Sequence, residues 1–530
     1  MIAARATAAA AVILSLAVVA AGLHWGSTVG GGADSYGYLS QAGQWRQTLG
    51  AGLVIDEPIA RESPWPLAIE TWAPLGFLPA AGRRDAIAPL YPPGLPLVMA
   101  VFQSIGGFCA AFLVVPACGG LAIWLTYVLG RRVFGSAAIA LSAAAFVATS
   151  PIFLYQLMNP MTDVPVTAAV ALMLVFLIEA RAVGAGLAAA AIVLIRPNLA
   201  PVVVAPAVWL LATNGRVMRF VVCVVPAIVA IAWTNTRFYG APWMSGYGSA
   251  DALYAVSYVG TNVRQFSTWL FSTQTPFVLL GTVFFVAPAL CRPSAIRYPR
   301  VLLGGSAAAV LLSYLFYLPF DAWWYLRFLL PLWPVMMIAT AAGVDAMTRR
   351  IHPWASAVAL GISVVLVGVV GVATAAERSA FDIGRWERRY VDVARFFAGH
   401  SDAKAVAIAL QHTGTLRMYA GRLTLRFDQL DPAWLDRAVQ FLADNGRHPF
   451  IVLEDGEVEM FRKRFAAVSD TGRLDWTPMG AFETSRVVVY DAVARKSDAQ
   501  PLAIASTAAR RTGWRCDEPY AGEPILLRLK

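Results

Sequence analysis

The run WASAVALGISVVLVGVVGVATA, Trp354–Ala375, decides the architecture. It carries no charged side chain. At about 1.5 Å per helical residue it is long enough to cross the roughly 30 Å hydrocarbon core of a bilayer. Directly after it the composition reverses, with Glu377, Arg378, Asp382, Arg385, Glu387, Arg388 and Arg389 following within a few residues. One boundary therefore separates a chain built for lipid, residues 1–375, from a water-soluble region, residues 376–530.

Moving toward the N-terminus, comparable apolar runs lie near Phe328–Ala346, Val301–Leu318, Thr275–Leu290, Val217–Arg237, Val164–Ile178, Phe134–Leu154, Gly107–Leu129 and Thr7–Trp25. The run Ala185–Thr213 is interrupted by Arg196-Pro197-Asn198. Proline removes a backbone donor and biases the residue before it away from helical geometry, so this run reads as two short helices meeting at the break. The count comes to about eleven transmembrane helices. Leu95–Ile105 is too short to span, and after its Pro-Pro-Gly turn it reads as an interfacial or re-entrant helix. Ile2–Trp25 has the makings of a cleaved signal peptide; we read it as an uncleaved first helix, because later segments need it for topology.

Composition agrees. With 58% hydrophobic and 14% charged residues in 530, there is too little polar surface for a soluble globule. The net charge of +10 does not point to nucleic acid, because the basic residues fall in short clusters between apolar runs. Arg5, Arg131/Arg132, Arg181, Arg216/Arg219, Arg292/Arg297/Arg300 and Arg349/Arg350 all land on one side, as the positive-inside rule requires of the cytoplasmic side. This gives a multi-pass protein of the inner (cytoplasmic) membrane with a cytoplasmic N-terminus and a periplasmic or extracellular C-terminal domain. The five cysteines form no CxxC and no Cys/His ligand set, so we expect neither a structural zinc nor a disulfide framework.

The fold expectation is a polytopic α-helical membrane protein with a small C-terminal extracytoplasmic α/β domain. In the soluble part, strand-like runs at Ala405–Leu410, Phe450–Leu453 and Arg486–Tyr490 alternate with helix-like runs at Trp386–Phe397, Pro432–Asp444 and Glu457–Phe465.

Polar motifs gather at the outer face. The first external loop, residues 26–88, is long for a connector and carries Gly30-Gly31-Gly32-Ala33-Asp34-Ser35-Tyr36 almost at the membrane surface. A carboxylate there can act as general base on a hydroxyl, or it can simply cap the helix starting at Ser35. The same face holds Tyr91-Pro92-Pro93-Gly94 and Thr162-Asp163-Val164-Pro165, where Asp163 is also a possible N-cap. It further holds Tyr239-Gly240-Ala241-Pro242 with Tyr247 close behind, and Trp323-Trp324-Tyr325-Leu326-Arg327-Phe328. The aromatics of this last motif fit an interfacial belt, while a boundary cation such as Arg327 calls for a partner, of which phosphate is a natural one.

In order and sidedness these motifs resemble the GT-C class of membrane glycosyltransferases. These are users of polyprenyl- or dolichyl-phosphate sugars that include protein mannosyltransferases and aminoarabinose and lipopolysaccharide-core sugar transferases. The resemblance covers roughly residues 1–375, a transmembrane glycosyltransferase domain. It implies a polyprenyl-phosphate sugar donor and a lipid, glycan or protein acceptor. It also implies Asp34 as catalytic acid/base, Asp163 as a second carboxylate at the site and Arg327 as a donor-phosphate contact, with Arg83 and Arg84 the cations nearest the interfacial helix. Tyr36, Tyr91, Tyr247, Trp324, Tyr325 and, in the soluble domain, His412 are the substrate-binding candidates. The five histidines are far apart in sequence, so no metal and no cofactor is expected. A different class, a secondary transporter or flippase, would call for internal repeats and polar groups at mid-membrane; no repeat is visible.

Overall fold

The structure, a computed structural model, describes residues 2–213, 215–482, 485–495, 501–504 and 515–520. Among them five helices are long and apolar enough to cross a membrane on their own: Arg5–Trp25, Phe108–Phe134, Val217–Tyr239, Trp323–Thr348 and Trp354–Glu377. Two bent pairs raise the number to seven, Ala137–Ala148 with Pro151–Leu157 at 60° and Tyr258–Gln274 with Pro276–Val286 at 106°. Shorter apolar helices complete the bundle at Asp163–Ile178, Ala182–Ile195, Pro197–Thr213 and Arg300–Leu315.

The breaks have local causes. Ser150 precedes Pro151, which disfavours helical geometry there, and the buried junction is closed by side chains: Ser150 Oγ accepts from Gln274 Nε2 (2.9 Å) and Trp333 Nε1 (2.8 Å). The expected span Thr275–Leu290 is instead a series of short pieces after a sharp bend at Thr275, with a further break at Ala287-Pro288. The bend is preceded by a helix, Tyr258–Gln274, that hydropathy does not reveal because it is largely polar. Its Asn262 side chain donates to the carbonyls of Tyr314, Leu315 and Tyr317 and so caps the end of a neighbouring helix.

The third break, at Arg196-Pro197, falls where the sequence places it, between Ala182–Ile195 and Pro197–Val203. It is pinned by charge. Arg196, almost fully buried, pairs with the fully buried Asp163 and also donates to Thr162 Oγ1 (3.0 Å) and the Tyr314 hydroxyl (3.3 Å). The interfacial segment is a helix, Gly94–Gly106, whose first residue lies against the backbone of Leu194 and Ile195; a Cβ there would meet Ile195 N at 2.5 Å. The outward side of this helix shows Val98, Val101 and Ile105.

Above the bundle, residues 406–504 form a six-stranded sheet. Its strands are β4 (Val406–Ala409), β5 (Leu423–Arg426), β6 (Pro449–Glu454), β7 (Gly480–Phe482), β8 (Val487–Asp491) and β9 (Leu502–Ile504), in spatial order β5-β4-β6-β8-β7-β9. The pairs β4/β5, β4/β6 and β7/β9 are parallel, and β6/β8 and β7/β8 antiparallel. Alternate residues serve opposite faces. Ala407, Phe450 and Val452 pack on helix Arg388–His400, whereas Ile408, Ile451 and Leu453 face helices Leu435–Asp444 and Asp455–Phe465.

That second face is completed by the first external loop. The loop folds into a small antiparallel sheet of β1 (Ile55–Asp56), β2 (Phe77–Pro79) and β3 (Ala86–Pro89), ordered β1-β3-β2. Its Ile55, Ile59, Trp65, Trp72, Phe77 and Ile87 share one hydrophobic core with the C-terminal sheet. A buried ion pair, Glu57 with Arg417, crosses the same junction. Residues 26–88 thus share their core with the outer sheet, rather than forming an appendage of the membrane region.

The cysteine reading needs correction, because Cys109 and Cys516 form a disulfide across a sequence separation of 407. Spacing gives no hint of a pair so distant; the turn after the interfacial helix and the C-terminal segment meet only in the fold. Arg515 O accepts from Thr28 Oγ1, Asp517 pairs with Arg388 and Arg395, and Tyr520 N donates to Met418 O, so the segment is strapped down on both sides of the bond.

Proteolysis of the purified protein without reductant should release a cross-linked peptide containing Cys109 and Cys516, which dithiothreitol separates; mass spectrometry reads this directly. Removing one partner of a buried ion pair costs about 3–5 kcal/mol, so Arg196→Ala should lower the melting temperature in detergent markedly. Adding Asp163→Asn should recover part of that loss.

Candidate functional site

Helix Asp34–Thr48 begins at Asp34 itself, with Ala33 at the capping position and no side-chain cap. The expected alternative, Asp34 as N-cap, is therefore not the arrangement found. Its carboxylate turns into the space under the outer domain. Oδ1 accepts a 2.6 Å hydrogen bond from the Tyr91 hydroxyl, and Oδ2 lies 3.7 Å from Arg327 Nη2. About a third of the side chain remains open to solvent. Tyr91 is buried between Tyr38 (4.4 Å between ring centroids) and Tyr247 (6.2 Å), and its ring crosses Gly37 so closely that a Cβ there would lie 2.2 Å away. Burial, and then the charge of Asp34, push the Tyr91 phenol well above its usual range, so it stays a proton donor toward Asp34.

Arg327 belongs to the 3-10 run Trp323–Leu332. Its guanidinium lies over the rings of Tyr325 (5.2 Å) and Phe328 (5.6 Å), and Nη1 sits 3.3 Å from Met161 Sδ. A sulfur and two ring faces are weak partners for a guanidinium, and its Nε has none among the described residues. Arg196 lies 5.9 Å from the same Phe328 ring. Two cations thus flank one aromatic, each with a carboxylate: Arg327 loosely with Asp34, Arg196 tightly with Asp163.

Asp163 is not an N-cap either. It is the first helical residue after Thr162, and its Oδ2 has no partner among the described residues. Sequence reasoning named Asp163 but gave Arg196 no role. The available signal was an arginine at a proline break inside an apolar run, because an ionisable group at that depth needs a partner.

The remaining candidates divide. Tyr247 and Trp324 are exposed at the rim, Trp324 lying parallel to Tyr155 at 6.3 Å, and Tyr325 stacks on Phe320 at 4.1 Å. Tyr36 is different: it is 2% exposed, packed on Phe77 and against Gly414, and belongs to the core between the first loop and the outer sheet. His412 is fully buried, 3.2 Å from Glu454 and 4.8 Å from the Tyr390 ring, and so cannot line an open acceptor pocket. Arg83 is engaged by Asp85 and Asp56 at the sheet edge, with Arg84 exposed beside it, and no ion pair joins either to the Asp34 cluster among the described residues. In each case tertiary packing, which motif spacing does not encode, decides the outcome. Among the described residues no group of three His, Cys, Asp or Glu side chains is arranged to hold a metal.

Residues 90–239 match the family model for dolichyl-phosphate-mannose-protein mannosyltransferase. That segment contains Tyr91, Asp163 and Arg196. No curated protein matches the chain by sequence. Solved structures do match in shape. ArnT from Cupriavidus metallidurans bound to undecaprenyl phosphate is 15% identical with a TM-score of 0.54, the match covering 93% of this chain and 99% of that one. The oligosaccharyltransferase of Archaeoglobus fulgidus in its apo form is 12% identical with a TM-score of 0.53, covering 94% of this chain and 75% of that one. The oligosaccharyltransferase AglB of the same organism, in complex with an inhibitory peptide and a dolichol-phosphate, is 12% identical with a TM-score of 0.50 over 92% and 74%. At such identities the agreement concerns fold, and it runs through both the bundle and the outer domain. In fold, the chain is similar to these membrane glycosyltransferases.

Proposed function

We propose that the chain is a glycosyltransferase that moves a sugar from a polyprenyl-phosphate donor to a hydroxyl of a lipid, glycan or protein acceptor at the outer face of the cytoplasmic membrane. The observation that carries this reading is the Asp34 carboxylate held between a phenol donor, Tyr91, and a loosely engaged guanidinium, Arg327.

In this reading the acceptor oxygen attacks the anomeric carbon and its proton passes to Asp34, while the bond from that carbon to the phosphate oxygen breaks. The leaving group is a polyprenyl phosphate, already a stable anion, so it needs charge stabilisation rather than protonation. Arg327 is the residue to supply it. A single displacement of this kind inverts the anomeric centre. Tyr91 fixes the carboxylate through Oδ1, and Oδ2, 3.7 Å from Arg327, is left without a hydrogen-bond donor of its own among the described residues. The rim aromatics Tyr247, Trp324 and Tyr325 offer flat faces to sugar rings or isoprenoid, and the surrounding lipid supplies the donor's tail. Arg196 with Asp163 carries no net charge and serves to hold the floor of the site.

Two features support an extracytoplasmic location for this face. A disulfide between Cys109 and Cys516 requires an oxidising compartment. The opposite end of the bundle carries the arginine clusters, where Arg292 and Arg349 close on the buried Asp345.

A supplied undecaprenyl-phosphate sugar and native membranes test the reading. Loss of a general base typically costs about 10²–10⁴-fold, so Asp34→Asn should reduce label transfer by at least about a hundredfold. Its undecaprenyl phosphate binding in nanodiscs should stay near wild type. Transfer undiminished in a folded Asp34→Asn protein sinks the assignment. A charge-assisted contact to phosphate contributes about 1.5–3 kcal/mol, so Arg327→Ala should weaken undecaprenyl phosphate binding roughly tenfold or more.

A further inference from the structure

Residues 26–33, which deliver Asp34 to its position, form neither helix nor strand. Their course is set from outside. Gly30 N donates to the Tyr419 hydroxyl at 2.9 Å. Gly31 lies flat against Glu387 and Tyr390: a Cβ on it would fall 2.0 Å from Glu387 Oε2 and 2.5 Å from the Tyr390 ring. Gly32, at φ +57°, faces the Tyr390 hydroxyl and Gln411 Oε1. No side chain fits at Gly31, and a left-handed backbone favours glycine at Gly32. The glycine run is thus explained by what presses on it.

The surface that presses is built around one guanidinium. Arg389 donates to Glu387 Oε1 (3.3 Å), Glu454 Oε1 (3.0 Å) and the Tyr390 hydroxyl (2.9 Å), and its head lies 4.2 Å from the centre of the Tyr390 ring. Glu454 also meets His412, and although burial pushes its carboxyl up, His412 and Arg389 more than offset this and hold it at about 2. Glu454 ends strand β6, and Glu387 follows the last membrane helix, Pro353–Glu377. Arg389 therefore ties the end of strand β6 to the segment that follows the membrane bundle, at the point where Glu387 meets Gly31. The chemistry of sugar transfer uses none of these groups.

We propose that Glu387 is a positioning residue for Asp34: clamped by Arg389, its carboxylate is the wall that fixes the backbone at Gly31 and so the aim of the carboxylate three residues on. The proposal rests on Asp34 as the base. A displacement of about 1 Å at a reacting group can cost roughly a hundredfold in rate, so a wall contacting Gly31 but not the substrate is enough to govern turnover.

The test compares full-length wild type, Glu387→Ala, Glu387→Gln and Asp34→Asn in nanodiscs and native membranes. Amide hydrogen exchange over residues 26–38 reads the loop without any substrate. Label transfer from a supplied undecaprenyl-phosphate sugar reads turnover. Glu387→Ala removes the wall and should accelerate exchange in this segment at least about tenfold. It should also lower the rate at saturating donor about tenfold to a hundredfold, with the apparent KM for donor within about twofold and only a slight fall in melting temperature, because Arg389 keeps Glu454 and the Tyr390 hydroxyl. Glu387→Gln keeps the shape and the bond to Arg389 and should restore both readouts to within about threefold of wild type.

Wild-type exchange in Glu387→Ala overturns the proposal. So does a raised KM at unchanged maximal rate, which marks a direct substrate contact, and so does a parallel fall of rate and melting temperature in both variants, which marks general support. If Asp34→Asn transfers normally, the base assignment fails instead, and the exchange experiment still decides whether Glu387 sets the loop.

Discussion

The constraint on which the rest depends is the satisfaction of one buried guanidinium, that of Arg417. Its side chain and that of Glu57 are almost completely withdrawn from water. Besides Glu57 it donates to Trp72 O (2.6 Å), Thr424 Oγ1 (2.9 Å) and Thr424 O (3.3 Å). A buried charge is tolerable only when its donors are all taken, and here the partners come from two distant parts of the chain. The first external loop and the outer sheet therefore cannot separate without taking Glu57 and Trp72 O away from Arg417 and opening the hydrophobic core that the two share. Burial pushes the Glu57 carboxyl upward and Arg417 opposes it. The result is one continuous outer domain with Asp34 suspended beneath it.

Charge is distributed unequally in the layer below. Arg196 and Asp163 are locked together and almost fully withdrawn from water, with Thr162 and Tyr314 as further acceptors for Arg196. Arg327 and Asp34 stand 3.7 Å apart, partly open, with aromatic faces and a thioether filling the space around the cation. The first pair is closed and holds a broken helix in register. The second is held near its partner but not saturated by it. That is the condition under which a guanidinium and a carboxylate can each take up a new partner. The proposed transfer assigns phosphate to one and a hydroxyl proton to the other.

What could be read from the sequence follows from how local each signal is. Trp354–Ala375 carries no charge and Val217–Arg237 is apolar over most of its length, and their helices extend only slightly beyond those bounds. The break at Arg196-Pro197 is local chemistry and falls where proline puts it. The strand-like runs Ala405–Leu410 and Phe450–Leu453 lie on β4 and β6, because a short continuous apolar run, buried on both faces of a sheet, is also a local pattern. Helix Tyr258–Gln274 was invisible because its polar residues, Asn262 among them, serve partners elsewhere in the bundle. Asp34 was found by position, but its freedom from a capping role was not legible. Tyr36 and His412 drew attention as polar groups near motifs, yet each is sealed by packing contributed from another part of the chain. The Cys109–Cys516 bond and the Glu387–Gly31 contact belong to the same class: both join segments hundreds of residues apart, and neither leaves a periodicity behind.

The pairing of Glu57 with Arg417 has a consequence for how the molecule is made. The two residues are 360 positions apart, and ribosomes extend chains at about 5–20 residues per second. For roughly 20 to 70 seconds after Glu57 is made, the loop's tryptophans and its acidic group wait without the sheet that covers them, while helix after helix is added. Until then the half-built surface stays open to neighbouring chains, and truncation anywhere before Arg417 leaves it uncovered.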